Sequence, residues 1–248
     1  MDNNQNNGNC LYNLIYTQYN EDLGMEEFFS YDLAYPVLFN LKNDSFYINP
    51  TILNNINSTI LLDVNTFKDD MNKEQQQFNN NSINNSLPTK NFKARTNYNI
   101  TFNKNHILSA IMRLTGFTGE LYPEYDDLYN YNYDLLTGNT ISLKDVFKSD
   151  VNVIEVVSNY INYKIQQHPS MYHSNIKVEI PEAQSFYLTD DGIVIYFGLD
   201  EIAPRELGIP KFKMMFSKFA PYINTRFYCE AQNIGARRKS INNRFMRY

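Results

Sequence analysis

The sequence predicts an α+β fold, with helices packed on one face of a mostly antiparallel sheet. Three observations carry that expectation. Ile52, Ile56, Ile60, Val64 and Phe67 recur at spacings of four, four, four and three, which places them on one stripe of a helix. Phe92, Ala94, Thr96, Tyr98, Ile100 and Phe102 occupy alternate positions, the period of a half-buried strand. Two strand-like runs, Ser185–Thr189 and Ile193–Phe197, flank Asp190-Asp191-Gly192, a tight-turn signal because glycine takes positive φ at little cost.

Taken in order, residues 1–28 read as an Asn-rich leader, tied down only by the aromatic run Leu11–Tyr16. Tyr31–Asn40 has strand composition, and Pro36 demotes it to an edge strand or a bulge. Asn49 followed by Pro50 is a helix start, with a capping side chain and then a ring already set to helical φ. The apolar stripe fades after Phe67, so residues 72–90, rich in Gln and Asn, read as a polar insertion. The Phe92 strand turns at Asn103-Lys104-Asn105 into a second, His106–Leu114, and the pair forms a hairpin.

Leu128–Leu135 alternates again and stops at Thr137-Gly138-Asn139. Ser142 caps a helical turn that runs through Phe147. Ile154, Val157, Ile161 and Ile165 predict a longer helix that ends before Pro169. Lys211–Phe216 closes the sheet. The expected organisation is a leader at 1–28, a first domain at 29–120, a second at 121–220, and a basic tail at 221–248.

Size and charge narrow the function. The chain has 248 residues, enough for a real core, and its charged fraction of 20 % is too low for a charge-rich disordered protein. Asparagine fills 36 positions, beside 20 Tyr and no Trp. No stretch approaches the roughly 20 apolar residues that span a bilayer. The N-terminus also lacks the basic and apolar regions of a secretory signal, so a soluble chain is expected. The net charge of −5 is unevenly spread. Residues 1–41 carry six acids and no Lys or Arg, whereas residues 237–248 carry five cations and no acid. Such ends attract each other or bind a charged partner, yet the sparse basic residues elsewhere exclude nucleic acid as the main partner. Cys10 and Cys229 fit neither a zinc spacing nor a redox motif.

Catalytic and cofactor signals are weak, and neither a cofactor nor a metal is expected. His106, His168 and His173 stand in no metal spacing. Asp126-Asp127 and Asp190-Asp191 are paired carboxylates of the kind an acid–base mechanism needs, but both pairs sit beside turns, where Asp bonds locally. Thr115–Glu120 lacks the lysine of a phosphate loop. Tyrosine stands out instead. Glu120, Tyr122, Glu124, Tyr125, Asp126, Asp127, Tyr129 and Tyr131 interleave rings and acids, a pattern suited to a cationic protein or to stacking on sugar rings. The same alternation also suits tyrosines that simply cover one face of a sheet.

Three motifs resemble a known family. Leu136–Phe147 (LTGNTISLKDVF), Ser185–Phe197 (SFYLTDDGIVIYF) and Glu201–Pro210 (EIAPRELGIP) are similar, in order and spacing, to the C-terminal domain of RsiV-type proteins. Upstream, Tyr35–Leu38, the helix holding Ile56 and Asn57, and the Tyr98–Met112 hairpin resemble the PdaC-type domain that commonly precedes it. The resemblance implies tandem PdaC-like and RsiV-like halves and a non-catalytic, extracytoplasmic module. In RsiV-type anti-sigma factors the tandem binds lysozyme; in PdaC-type deacetylases a related module precedes a catalytic domain that acts on peptidoglycan. Here Thr118-Gly119-Glu120-Leu121 stands where many relatives carry Gly-Ala-His-Gly. The expected partner is a lysozyme-like basic protein or peptidoglycan. The alternative is self-association in a bacterial spore or envelope layer.

Overall fold

The computed structural model describes residues 11–13, 15–41, 48–119 and 122–228. Two antiparallel strands, β1 (Ile15–Met25) and β2 (Phe29–Asn40), lead into the long helix α1 (Pro50–Asn84). Strands β3 (Phe92–Lys104), β4 (Ile107–Thr118) and β5 (Tyr125–Asp134) follow as an antiparallel meander. The sheet order is β1-β2-β3-β4-β5, with β2 and β3 parallel because α1 carries the chain back across the sheet. A one-turn helix α2 (Leu143–Val146) and then α3 (Val153–Gln167) precede the three-stranded antiparallel sheet β6 (Phe186–Thr189), β7 (Gly192–Tyr196) and β8 (Lys211–Met215). The fold is α+β. Its strands form two sheets, one for each of the two expected halves.

The helix α1 starts as expected: Asn49 caps it, accepting from the Thr51 N–H at 3.0 Å, with Pro50 in the first turn. It does not stop where the apolar stripe fades. Met71, Gln75, Asn79 and Ser82 continue the same buried stripe, so the polar insertion expected at 72–90 is mostly helix. The physical reason is local bonding. The Asn79 amide takes the Lys90 N–H and gives to the Lys90 carbonyl, both at 2.9 Å, so a polar residue occupies a core position at no unsatisfied cost. Asn57 clamps β2 the same way, bonding the Leu38 N–H at 2.8 Å and its carbonyl at 3.0 Å.

Two further expectations are corrected. Within the expected leader, Ile15–Met25 is a full edge strand paired along all of β2. It is held by backbone pairing rather than by an apolar pattern, with most of its side chains exposed, which is why composition hid it. Nearby, the Asn13 side chain accepts from the His106 N–H at 2.6 Å and donates to the Ile107 carbonyl at 2.8 Å. Strand β2 lies inside the sheet, not at its edge. Pairing with β3 ends at Leu33–Thr96, so Pro36 falls beyond it, where a missing N–H breaks no ladder. The β3–β4 turn sits at Asn105 and His106, both at positive φ (55° and 58°), the geometry of a two-residue hairpin turn.

The halves share an interior. Leu108, Ala110, Met112 and Leu114 of β4 join Leu53, Ile56, Ile60 and Val64 of α1 in one core. Ile107 and Phe102 belong to the other core, with Val157, Ile161, Leu188, Ile193 and Phe212. A bulge at Thr101, where two β3 residues face one on β4, turns Phe102 from the α1 face to the opposite face. Strand β6 lies against β3, β4 and β5. The five-stranded sheet is therefore covered by α1 on one side and by the second half on the other. Strand β5, which lies past the boundary expected at 120/121, pairs with β4 along its whole length. Among the described residues, no helix is long and apolar enough to cross a membrane.

Candidate functional site

Strand β5 is an edge strand, and its outer side is only partly covered. At its end, the Ile141 N–H donates to the Asn132 carbonyl at 2.8 Å and the Asp134 N–H to the Asn139 carbonyl at 2.9 Å. Even-numbered residues therefore direct their backbone groups outward, since a strand alternates sides. Further back, the Tyr196 hydroxyl donates to the Leu128 carbonyl at 2.8 Å and lies 2.7 Å from the Asn130 amide oxygen. Beside this stretch lies a cleft of about 520 Å³. Its walls are β5 from Asp127 to Tyr131, Asp63 of α1, the 181–185 segment, and Tyr196, Gly198 and Glu201. An adjoining cleft of about 420 Å³ runs on past Glu124, Asp126, Asp200 and Arg205.

The carboxylates here differ in their partners. Asp126 is buried and bound in bidentate fashion by Arg113, with contacts of 2.7 and 2.5 Å. Lys211 lies close by, its ammonium pushed below the usual lysine range by burial and then by the Arg113 charge. Asp126 is thus neutralised. Asp63, Asp127 and Glu201 form no ion pair among the described residues. Asp63 accepts from the Tyr131 hydroxyl at 2.9 Å. Burial nevertheless outweighs that bond and raises its carboxyl above the ordinary range. Asp127 accepts from the Leu128 N–H at 2.7 Å, and Glu201 from the Gly198 N–H at 2.6 Å. The cleft is an acidic concavity in which Asp63, Asp127 and Glu201 meet no cationic partner among the described residues.

Tyrosine supplies the rest of the wall. Tyr131 is buried, and burial together with the Asp63 charge raises its phenol above the usual range. Burial likewise raises Tyr196 and Tyr125. These phenols stay protonated and act as fixed donors. Tyr125 packs its ring on Phe67 of α1, centroids 5.3 Å apart.

Of the residues singled out from sequence, the structure brings Asp127, Tyr129 and Tyr131 together in the larger cleft, and Glu124, Tyr125, Asp126 and Asp127 in the smaller. Tyr122 stands exposed on the connection before β5 and lines neither. Glu120 lies outside the described residues, as do Cys10 and Cys229. Odd-numbered tyrosines of β5 cover the α1 side, as the sheet-face reading expects, and Tyr129 and Tyr131 also rim the cleft. Sequence reasoning missed Asp63, Tyr196 and Glu201. Asp63 carried one signal, an acid flanking the apolar stripe of α1; the other two come from a distant hairpin and loop.

The remaining paired acids each meet a lysine. Asp190 meets Lys104 at 2.8 Å, and Asp191 meets Lys213 at 2.6 Å. His173 bonds the Asp200 carbonyl at 3.1 Å. Asp134, at the far end of β5, meets Arg226 at 2.6 Å. That contact, aided by the Leu136 and Thr137 N–H groups, lowers its carboxyl below the usual range. A lowered acid contributes stability that is present above its unfolded value and lost as pH falls through the folded one. Asp134→Asn is therefore expected to cost about 1 kcal/mol at neutral pH. The gap from the parent should close below about pH 4, read as melting temperature against pH. A gap that persists unchanged in acid would refute the role of ionised Asp134.

Comparison with known proteins bears on most of the chain. Residues 24–121 match the family model described as deacetylase PdaC, and residues 144–217 match that of a protein of unknown function, DUF3298. The two occur in the order of the PdaC-type and RsiV-like layout, and β5 falls between them. A crystal structure of a DUF3298 family member from Bacteroides fragilis superposes with a TM-score of 0.56 at 14 % identity, covering 89 % of this chain and 96 % of that one. A DUF3298 family protein from Pseudomonas aeruginosa gives 0.49 at 11 %, covering 87 % and 96 %. No curated protein matches the chain. The first of these structures shares the fold with this chain.

Proposed function

We propose that the chain, whose residues 24–121 match the PdaC family model and 144–217 that of DUF3298, a pairing that suggests an envelope-associated module, is a non-enzymatic binding protein whose β5 cleft holds a basic protein surface of the lysozyme kind. One observation carries the reading: Asp63, Asp127 and Glu201 line a single concavity and no cation of the described chain pairs with them. Uncompensated carboxylates near each other repel, and a lysine or arginine side chain relieves that repulsion on docking. Tyr129, Tyr131 and Tyr196 add rigid area with fixed hydroxyl donors, which orders the contact at low entropy cost. A neutral glycan gains less here, since it offers nothing to balance three carboxylates.

The test is retention of the purified chain on immobilised hen lysozyme and on peptidoglycan sacculi, at low and at moderate salt. The expected result is lysozyme binding that weakens with salt. The triple variant Asp63→Asn, Asp127→Asn, Glu201→Gln should lose about tenfold or more in affinity at low salt. Its fold should be intact, and Asp63→Asn alone should raise the melting temperature at neutral pH. The sign follows from the raised carboxyl: its contribution to stability is present at low pH and is lost as pH rises through the folded value. Retention on sacculi only, or a triple variant that binds lysozyme as the parent does, would overturn the reading.

A further inference from the structure

We propose that the outer edge of β1 is a dimer interface, on which a second copy of the chain lays its own β1 antiparallel about a two-fold axis at Asn20. Strand β1 ends the sheet order β1-β2-β3-β4-β5, and among the described residues no strand pairs with its far side. The Glu26 N–H donates to the Phe29 carbonyl at 2.7 Å, which turns the backbone of Glu26 toward β2. A strand alternates sides, so even-numbered residues of β1 bond β2, and odd-numbered ones from Ile15 to Met25 point their groups outward. Leu38, opposite Thr17, gives the same parity: its N–H and carbonyl both go to Asn57 rather than to β1.

Sheet edges are normally protected against such pairing. Strand β8, at the end of the second sheet, presents exposed Lys211 and Lys213, charges that repel another edge. Strand β1 has no Lys, Arg or Pro, and its register with β2 runs from Ile15 to Met25 without a bulge. It leaves Tyr16, Tyr19, Leu23 and Met25 exposed. A straight edge with apolar side chains is a template for another strand.

Self-complementarity selects a second copy as the occupant. Two antiparallel strands related by a two-fold axis set one residue opposite itself. An axis at Asn20 pairs all 11 residues of β1, from Ile15 opposite Met25 onward, and no other axis does. It places Tyr16 opposite Gly24, Thr17 opposite Leu23, Gln18 opposite Asp22 and Tyr19 opposite Glu21. Each acid then faces a hydrogen-bond donor. The Tyr19 hydroxyl already donates to Glu21 at 2.8 Å within one chain. Asp22 is held by Lys68 at 2.7 Å, which offsets its repulsion toward the second copy. An axis at Glu21 or Asp22 would set like charges opposite each other, which is destabilising. The outward residues of the two copies exchange up to about twelve backbone bonds. The joined sheet has twice five strands, within the roughly ten that open sheets reach. Both β5 clefts stay at its outer edges, so this pairing does not depend on what the cleft binds.

The test is sedimentation equilibrium of the full chain from about 1 to 500 μM, where a monomer–dimer equilibrium is expected. Leu23→Pro removes an outward N–H and leaves the β1–β2 ladder whole, so the monomer stays folded while dimerisation weakens about tenfold or more. A second measurement reads the register. In a background of Cys10→Ser and Cys229→Ser, Asn20→Cys should cross-link two copies under mild oxidation, because opposed Cα atoms of such a pair lie about 4.5 Å apart. Glu21→Cys should not, since its counterpart is displaced by about 7 Å along the strand. A chain that stays monomeric across the range, a dimer that Leu23→Pro leaves as tight as before, or faster cross-linking through Glu21→Cys would overturn the proposal. Amide exchange identifies any other occupant. Protection of the Tyr19, Glu21 and Leu23 N–H groups in the dilute monomer would place another segment of the same chain on the edge, and would overturn it too.

Discussion

Replacing Phe102 by Ala is expected to cost about 3–5 kcal/mol, the range for emptying an aromatic site in a packed core. Phe102 belongs by sequence to the first half, yet its ring is 2 % exposed and sits in the core of the second, among Ile107, Leu188 and Ile161. It reaches that core because the bulge at Thr101 shifts the register between Ile100 and Phe102. The lost ring should therefore weaken both halves at once. Calorimetry should show a single transition in the parent and a single, lower transition in the variant. Two transitions of which only one moves would mean that the halves unfold independently, and the shared interior would not hold them together.

Asn132→Ala is expected to cost about 2–3 kcal/mol, the price of stranding buried polar groups. The side chain of Asn132 is fully enclosed. Its amide oxygen accepts from the Ser109 hydroxyl at 2.6 Å, and its amide nitrogen donates to the Phe186 carbonyl at 2.8 Å. The same Ser109 hydroxyl accepts from the Leu188 N–H at 2.9 Å, so two side chains of β4 and β5 serve the backbone of β6. Removing Asn132 leaves the Phe186 carbonyl without its donor in a dry interior. Ser109→Ala should cost less, and the double variant should cost less than the sum, since both act on one network. A change under about 0.5 kcal/mol in Asn132→Ala would mean that water replaces the amide and that the joint between the halves is wet.

How much of this was legible follows from how each element earns its burial. Strand β3 and helices α1 and α3 bury apolar side chains at a fixed period, so Phe92–Phe102, Ile52–Phe67 and Ile154–Ile165 announced them. The Asp-Gly turn announced the β6–β7 hairpin for an equally local reason. Strand β1 and the last four turns of α1 were hidden because their stabilising partners are amides and backbone groups. Gln75, Asn79 and Ser82 occupy core positions that an apolar pattern reads as surface. At the site, the run from Tyr122 to Tyr131 was visible as alternating rings and acids, and six of its members do line the clefts. Their meaning was not visible. Asp126 looks like its neighbour Asp127 in the sequence, and only Arg113, thirteen residues away, neutralises one and leaves the other.

The sequence by itself determined the α+β class, the order of most elements and the family resemblance of the two halves. These depend on local periodicity and turn chemistry, which survive without a partner. Tertiary structure alone decided that the two halves share an interior through Phe102 and Asn132, and that β5 is an edge. It also decided that Asp63, Asp127 and Glu201 meet in one cleft. Each of those facts joins residues far apart in the chain, where no local pattern links them. What selected the arrangement was the need to bury apolar faces of both sheets while leaving each buried polar group a partner.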